Sequence, residues 1–209
     1  MRNSVPRTSV AIVSCHVERP LHDETWARFE ALQARRPGGF RVIALLRPPD
    51  AEFGEDERLW LERARTASKR APFGLHTHWT SPTHARPTDG IPAERVRREA
   101  AWVRSQELEP LFFCGGGWYT DDAVRASVRE LGLVDCTERE GLPGDGVLPT
   151  THSLGQLARA VGGRLPGYVH AYFHDYDLLE SRRRVALLAS LEILGRRRRH
   201  GDPLALARP

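Results

Sequence analysis

The sequence predicts a single-domain parallel α/β protein, on three observations. Short apolar, β-rich runs alternate with longer segments of helical periodicity about seven times along the 209 residues, the signature of a parallel sheet covered by helices. Residues able to do chemistry cluster just past the ends of the apolar runs, where parallel α/β proteins carry their sites. No linker divides the chain, because its 15 Pro and 18 Gly are spread along it. Periodicity allows either a closed barrel or an open doubly wound sheet.

The elements follow in order. Val10–Ser14 is the first strand, and Trp26, Phe29 and Leu32 mark one face of the helix after it. Arg41–Leu46 is the second strand, ended by Pro48-Pro49, and a charged helix runs from about Glu55 to Arg70. Phe73–His78 is the third strand, followed by a Pro-rich loop to Pro92 and a helix with Val96, Ala100 and Val103 on one face. Leu111–Cys114 is the fourth strand, broken by Gly115-Gly116-Gly117. Thr120 or Asp121 can cap the next helix, on which Val124, Val128 and Leu131 repeat. Short runs at Leu133–Asp135 and Val147–Leu148 precede a helix that Ser153 can cap, with Leu154, Leu157 and Val161 on one face. Tyr168–Phe173 is the last strand, and Leu187, Leu191 and Leu194 line the last helix. Residues 1–195 are expected to form the domain and 196–209 a basic C-terminal tail.

Composition narrows the function. Of 31 basic residues only Lys69 is lysine, and the net charge is +4. The dense basic clusters, Arg182–Arg184 and Arg196–Arg199, are not interleaved with aromatics, so nucleic acid is not expected as a partner. No apolar window is long enough to span a membrane. Val10–Val13 is too short for the core of a secretory signal. Three cysteines, Cys15, Cys114 and Cys136, show no CxxC spacing, which argues against a disulfide framework and a zinc knuckle. A cytoplasmic protein is the expectation.

Seven of the nine histidines lie at or just past strand ends. His16 and Glu18 are two residues apart, as are His76 and His78, so an extended chain puts each pair on one face. Imidazoles with a carboxylate are a ligand set for Zn, Mn, Fe or Ni. A thiolate from Cys15 or Cys114 would shift that choice toward zinc. Tyr168, His170, Tyr172 and His174 share one face of the last strand, and His174 at its end suits a general acid or base. The glycine run lacks the phosphate-loop spacing. It suits a tight turn, or close approach to a substrate whose oxyanion the amides around Trp118 and Tyr119 would bind.

This ordered set of motifs resembles the polysaccharide deacetylase (NodB-homology) superfamily over about Val10 to Leu179. The resemblance implies an irregular (β/α) barrel of about seven parallel strands that hydrolyses N-acetyl or other non-peptide C–N amide bonds with a divalent metal. The family's first acidic pair maps onto Ser14-Cys15-His16-Val17-Glu18, with Glu18 as the metal-binding acid and His16 in place of the catalytic base. Its histidine motif maps onto Gly74-Leu75-His76 with His78 or His84, although neither pair keeps the usual spacing of four. Its Arg-Pro-Gly turn resembles Cys114 to Tyr119, with Cys114 in place of the Arg, and its late acid maps onto His174. The implied site is thus His16 and His174 as catalytic residues, and Glu18, His76, His78 and His84 as metal ligands or their alternatives. Gly116, Gly117, Trp118, Tyr119 and Asp175 would contact the small-molecule or oligosaccharide substrate that the resemblance implies. Zinc is the expected metal, with manganese, cobalt and nickel as alternatives, and His16 is either the base or an added ligand. A barrel that binds carbohydrate or acts as a regulatory module, having lost the base, is the alternative function.

Overall fold

The computed structural model describes residues 9–88 and 90–208. Seven parallel strands form one curled sheet: β1 (Val10–Val17), β2 (Ile43–Leu46), β3 (Phe73–Thr77), β4 (Phe112–Gly115), β5 (Val134–Asp135), β6 (His152–Ser153) and β7 (Tyr168–His174). Their order across the sheet is β5-β4-β3-β2-β1-β7-β6. The helices are α1 (Asp23–Arg35), α2 (Glu57–Arg70), α3 (Pro92–Ser105), α4 (Asp122–Glu130), α5 (Leu154–Ala160), α6 (Ser181–Arg197) and α7 (Pro203–Leu206). A short β8 (Arg199–His200) also pairs with β1.

Local chemistry starts the helices where the sequence expects. Asp56 accepts from the Leu59 amide and Asp121 from the Val124 amide, each supplying one of the acceptors a helix N-terminus lacks. Ser153 and Gln156 form a reciprocal capping box on α5.

The pleat sorts the strand residues into two apolar layers. Ala11, Val13, Cys15 and Val17 join Leu75, Phe113, Val169 and Phe173 in the layer between sheet and helices, with Trp60 and Phe29 beneath. Ile12, Ile43, Leu45, Phe112, Cys114 and Tyr168 fill the inside of the curl. Gly74 makes the inner packing possible, because a Cβ there would meet the Phe112 carbonyl oxygen at 2.2 Å. His170 lies in this interior, donating from Nδ1 to the Leu148 carbonyl (3.2 Å) and accepting at Nε2 from the Ser14 hydroxyl (2.9 Å).

One segment closes the open side. The Asp135 amide donates to Gly146 O and the Leu148 amide to Asp135 O, both at 2.8 Å, on one sheet edge. The Thr151 amide donates to His170 O at 2.9 Å on the other edge. A single short segment can reach both edges only because the sheet curls, so the fold is a half-barrel spanned by residues 146–151. Of the two short runs expected here, Val134–Asp135 is a strand, but Val147 makes only two isolated bridges, to Asp135 and Gly144. Pairing with β7 moves instead to His152–Ser153. Two-residue strands carry no usable periodicity.

The stretch expected as a basic tail is held against the barrel. Arg196 and Arg197 complete α6, Arg199–His200 pairs with β1, and the His200 ring donates to Gly38 O (2.8 Å). Ala207 is buried in the interior layer.

Two outcomes follow from this packing. Gly74→Ala should lower unfolding free energy by about 3 kcal/mol, since its backbone clash cannot be relieved by a rotamer change; urea denaturation measures it. Burial holds the His170 imidazole down at about 4, against 6.5 for a free histidine. Between those values the unfolded chain takes up a proton that the folded chain refuses, so stability falls as pH drops from 6.5 towards 4, by roughly 3 kcal/mol. His170→Gln should remove that share of the pH dependence.

Candidate metal centre and active site

Inward-facing residues at the carboxyl ends of β1, β3, β4 and β7 meet at the top of the half-barrel. They lie in two tiers. His16, His76, Cys114 and Tyr172 form the deeper one, and Glu18, His78 and His174 the rim.

Glu18 follows the last residue of β1, and its backbone is fixed on both sides. The Arg47 Nε donates to the Glu18 carbonyl (2.9 Å), and Arg47 is itself held by a bidentate pair with Glu55, both contacts 2.6 Å. The next amide, of Arg19, donates to the Asp175 carboxylate (2.8 Å). The Glu18 carboxylate then stands 3.6 Å from His76 Nε2 and 3.5 Å from His174 Nε2. Burial pushes the Glu18 carboxyl up, but His76, then His174 and His78, outweigh it and hold it below the usual range.

His76 and His78 are oriented alike. The His76 Nδ1 donates to the Cys114 carbonyl (3.2 Å) and the His78 Nδ1 to the Pro82 carbonyl (3.0 Å). Each ring therefore turns its Nε2 into the site, the arrangement that orients metal-binding histidines. Burial, then His76, lowers the His78 pKa to about 4. Among the described residues, three of the six buried side-chain N or O atoms without a hydrogen-bond partner are Nε2 of His16, His76 and His78. Buried polar atoms left unpaired cost about 1–3 kcal/mol each, and three such nitrogens on neighbouring strand ends are donors suited to a bound cation. Ligand atoms of Glu18, His76 and His78 all lie within 4.8 Å of one another. A carboxylate and two imidazoles fit a divalent cation with open positions.

His16 lies below the rim, 1 % exposed. Its ring lies against His76 (centroids 4.6 Å apart), Trp118 (5.2 Å), Tyr172 (5.4 Å) and the edge of His174 (5.1 Å). Burial, then His76 and His174, holds its pKa well below the usual value. His174 is more open. Tyr176 stacks on its ring at 4.9 Å, its backbone amide donates to Asp177, and its pKa is lowered by burial. Beside it a cleft of about 420 Å³ is lined by Ser153, Tyr172, Tyr176, Asp177 and Arg183.

The remaining expectations divide. Trp118 does face the site, with its backbone in the left-handed region (φ 60°) and the Arg139 guanidinium 5.2 Å over its ring. Strained backbone of that kind persists only where its surroundings hold it. Gly116 supports the turn through its carbonyl, which accepts from Trp79 Nε1 (3.1 Å) and from the Tyr119 amide (3.2 Å). Tyr119 turns away, its hydroxyl on Asp121 (2.7 Å). Asp175 is fully buried and serves the backbone, accepting from the amides of Arg19 and Tyr176, both at 2.8 Å. His84 is exposed in a turn with Ser81 and stands apart from both donor clusters, which leaves His78 as the partner of His76. Sequence reasoning missed Arg47 and Tyr176, and no pattern marks one arginine among 30.

No protein-family model matches the chain, and no curated protein sequence does. Solved structures do match in shape. A CE4 family pseudoenzyme from Bacillus anthracis aligns with 97 % of this chain and 67 % of its own, at 11 % identity and a TM-score of 0.61. A family 4 carbohydrate esterase from Streptomyces lividans, solved with acetate, aligns over 95 % and 94 %, at 13 % identity and TM-score 0.58. The CE4 domain of a multidomain xylanase from the hindgut metagenome of Trinervitermes trinervoides aligns over 95 % and 89 %, at 11 % identity and TM-score 0.59. The chain has the fold of the family 4 carbohydrate esterases, the barrel-like fold that the polysaccharide deacetylase resemblance implies.

Asp175→Asn should cost about 1–3 kcal/mol, because an amide NH₂ would replace one of the carboxylate oxygens that accept from backbone N–H groups. Chemical denaturation checks it.

Proposed function

We propose that the chain is a divergent, metal-dependent hydrolase of the polysaccharide deacetylase type that cleaves an N-acetyl or similar non-peptide amide bond on a saccharide or glycan precursor. One observation carries the reading: His76 and His78 each keep a buried, partnerless Nε2, and a ligand atom of each lies within 4.8 Å of the Glu18 carboxylate.

Glu18, His76 and His78 would hold the cation. When bound, a divalent metal supplies Lewis-acid polarisation of the acyl carbonyl and makes water more acidic. The protein's own groups do the rest. Arg47 and Asp175 fix the backbone that carries Glu18. His174, neutral near pH 7 and open to the cleft, takes the proton of the attacking water and returns it to the leaving nitrogen. Tyr176 and Asp177 keep its ring in place. The cleft beside it, with tyrosine rings and a Ser, Asp and Arg, suits a polar ring substrate. Zinc is the preferred ion, with manganese, cobalt and nickel as alternatives. Support for a carbohydrate substrate comes from the carbohydrate esterases of the same fold.

A second reading has its own observation. The positions of the family's base and its Arg partner hold His16 and Cys114, and a protein of the same fold is a pseudoenzyme. In that case the barrel binds carbohydrate without turning it over.

Protein stripped by chelator and reloaded should take up about one equivalent of zinc and release acetate from acetylated oligosaccharides. Glu18→Ala should weaken zinc by more than the roughly 10–100-fold that loss of a supporting partner costs. His174→Ala should lower kcat by about 10²–10⁴-fold at unchanged zinc affinity. Full zinc loading without turnover would favour the binding module, and no metal uptake would sink both the hydrolase and its metal site.

A further inference from the structure

We propose that the two departures from the family's motifs, His16 and Cys114, join His76 as a second, thiophilic donor set directly beneath the rim, so that the ion this site binds carries a cysteine sulfur. The inference rests on reading Glu18, His76 and His78 as a metal site, and adds donors that reading does not use.

Three observations carry it. One ligand atom from each of His16, His76 and Cys114 lies within 4.8 Å of the other two, and all three residues are buried. His16 Nε2 and His76 Nε2 have no hydrogen-bond partner, although both side chains are almost wholly enclosed. The Cys114 thiol makes a long contact, 3.8 Å, to the Gly115 carbonyl, with the Thr137 hydroxyl beside its sulfur, and neither is a strong bond that a metal could not replace. The other cysteines do not compete. Cys15 faces the helix layer, and Cys136 is absent from both donor clusters.

The two donor sets share one residue, His76. His76 Nδ1 is occupied by the Cys114 carbonyl, which leaves Nε2 as its single free lone pair. One ion bonded through that atom can draw donors from either tier, but two ions cannot both use it. The expected stoichiometry is therefore one. Imidazole with thiolate favours Zn²⁺ or Cu⁺ over Mn²⁺, Mg²⁺ or Ca²⁺. On binding, the thiol proton passes to solvent and a metal–sulfur bond forms. His16 then acts as a donor and not as a free base, consistent with its enclosure by His76, Trp118 and Tyr172.

Cobalt titration of the full chain tests this. One equivalent of Co²⁺ should produce a near-ultraviolet thiolate-to-cobalt absorption band. Cys114→Ser should abolish the band and Cys136→Ser should keep it. X-ray absorption of the zinc-loaded, unsubstituted protein should show sulfur at about 2.3 Å, and this decides the matter if Cys114→Ser does not fold. One bound cobalt with no such band, together with zinc neighbours that are nitrogen and oxygen only, would overturn the proposal and leave the rim site standing. Failure of either metal to bind would remove both.

Discussion

The pleat of β1 governs the rest of the molecule. As the strand between β2 and β7, it points Val13, Cys15 and Val17 at the helices and Ile12, Ser14 and His16 into the curl, with Glu18 emerging at the rim. A slip of one residue would exchange the two sets, putting imidazole among the helices and cysteine into the site. Register with β7 places His16 beside His174, and register between β3 and β4 places His76 beside Cys114. The site is thus a product of strand register before it is a product of any single contact.

Enclosure then decides what each histidine does. His170 lies in the interior with both ring nitrogens bonded, and it is a packing residue. His76 and His78 spend Nδ1 on backbone carbonyls and keep Nε2 free. His16 has the same free atom but no path to solvent, whereas His174 has both a cleft and a carboxylate beside it. Differences in burial and hydrogen bonding alone thereby separate a structural histidine from those to which the ligand and proton-transfer roles are proposed.

Much of this was legible in the sequence. Alternation in β1 and β7 and the paired spacing of His16/Glu18 and His76/His78 announced an inward polar face, and strand ends announced the rim. Choice between His78 and His84 was not legible, because it depends on a turn that folds His84 outward to Ser81. Nor were the roles of Asp175 and Tyr119, since a carboxylate or a phenol beside a site reads the same whether it meets substrate or backbone. Arg47 was invisible for a compositional reason: its partner Glu55 lies eight residues away in an arginine-rich chain. The adjacency of His16 and Cys114, separated by 98 positions, required the curl itself.

Anomalous diffraction at the zinc edge from crystals of the zinc-loaded protein tests the central claim most directly. The account predicts a single peak within bonding distance of His76 Nε2, bounded by side chains of the two tiers. A zinc-loaded crystal with no peak there, or with its peak away from Glu18, His76 and His78, would contradict it.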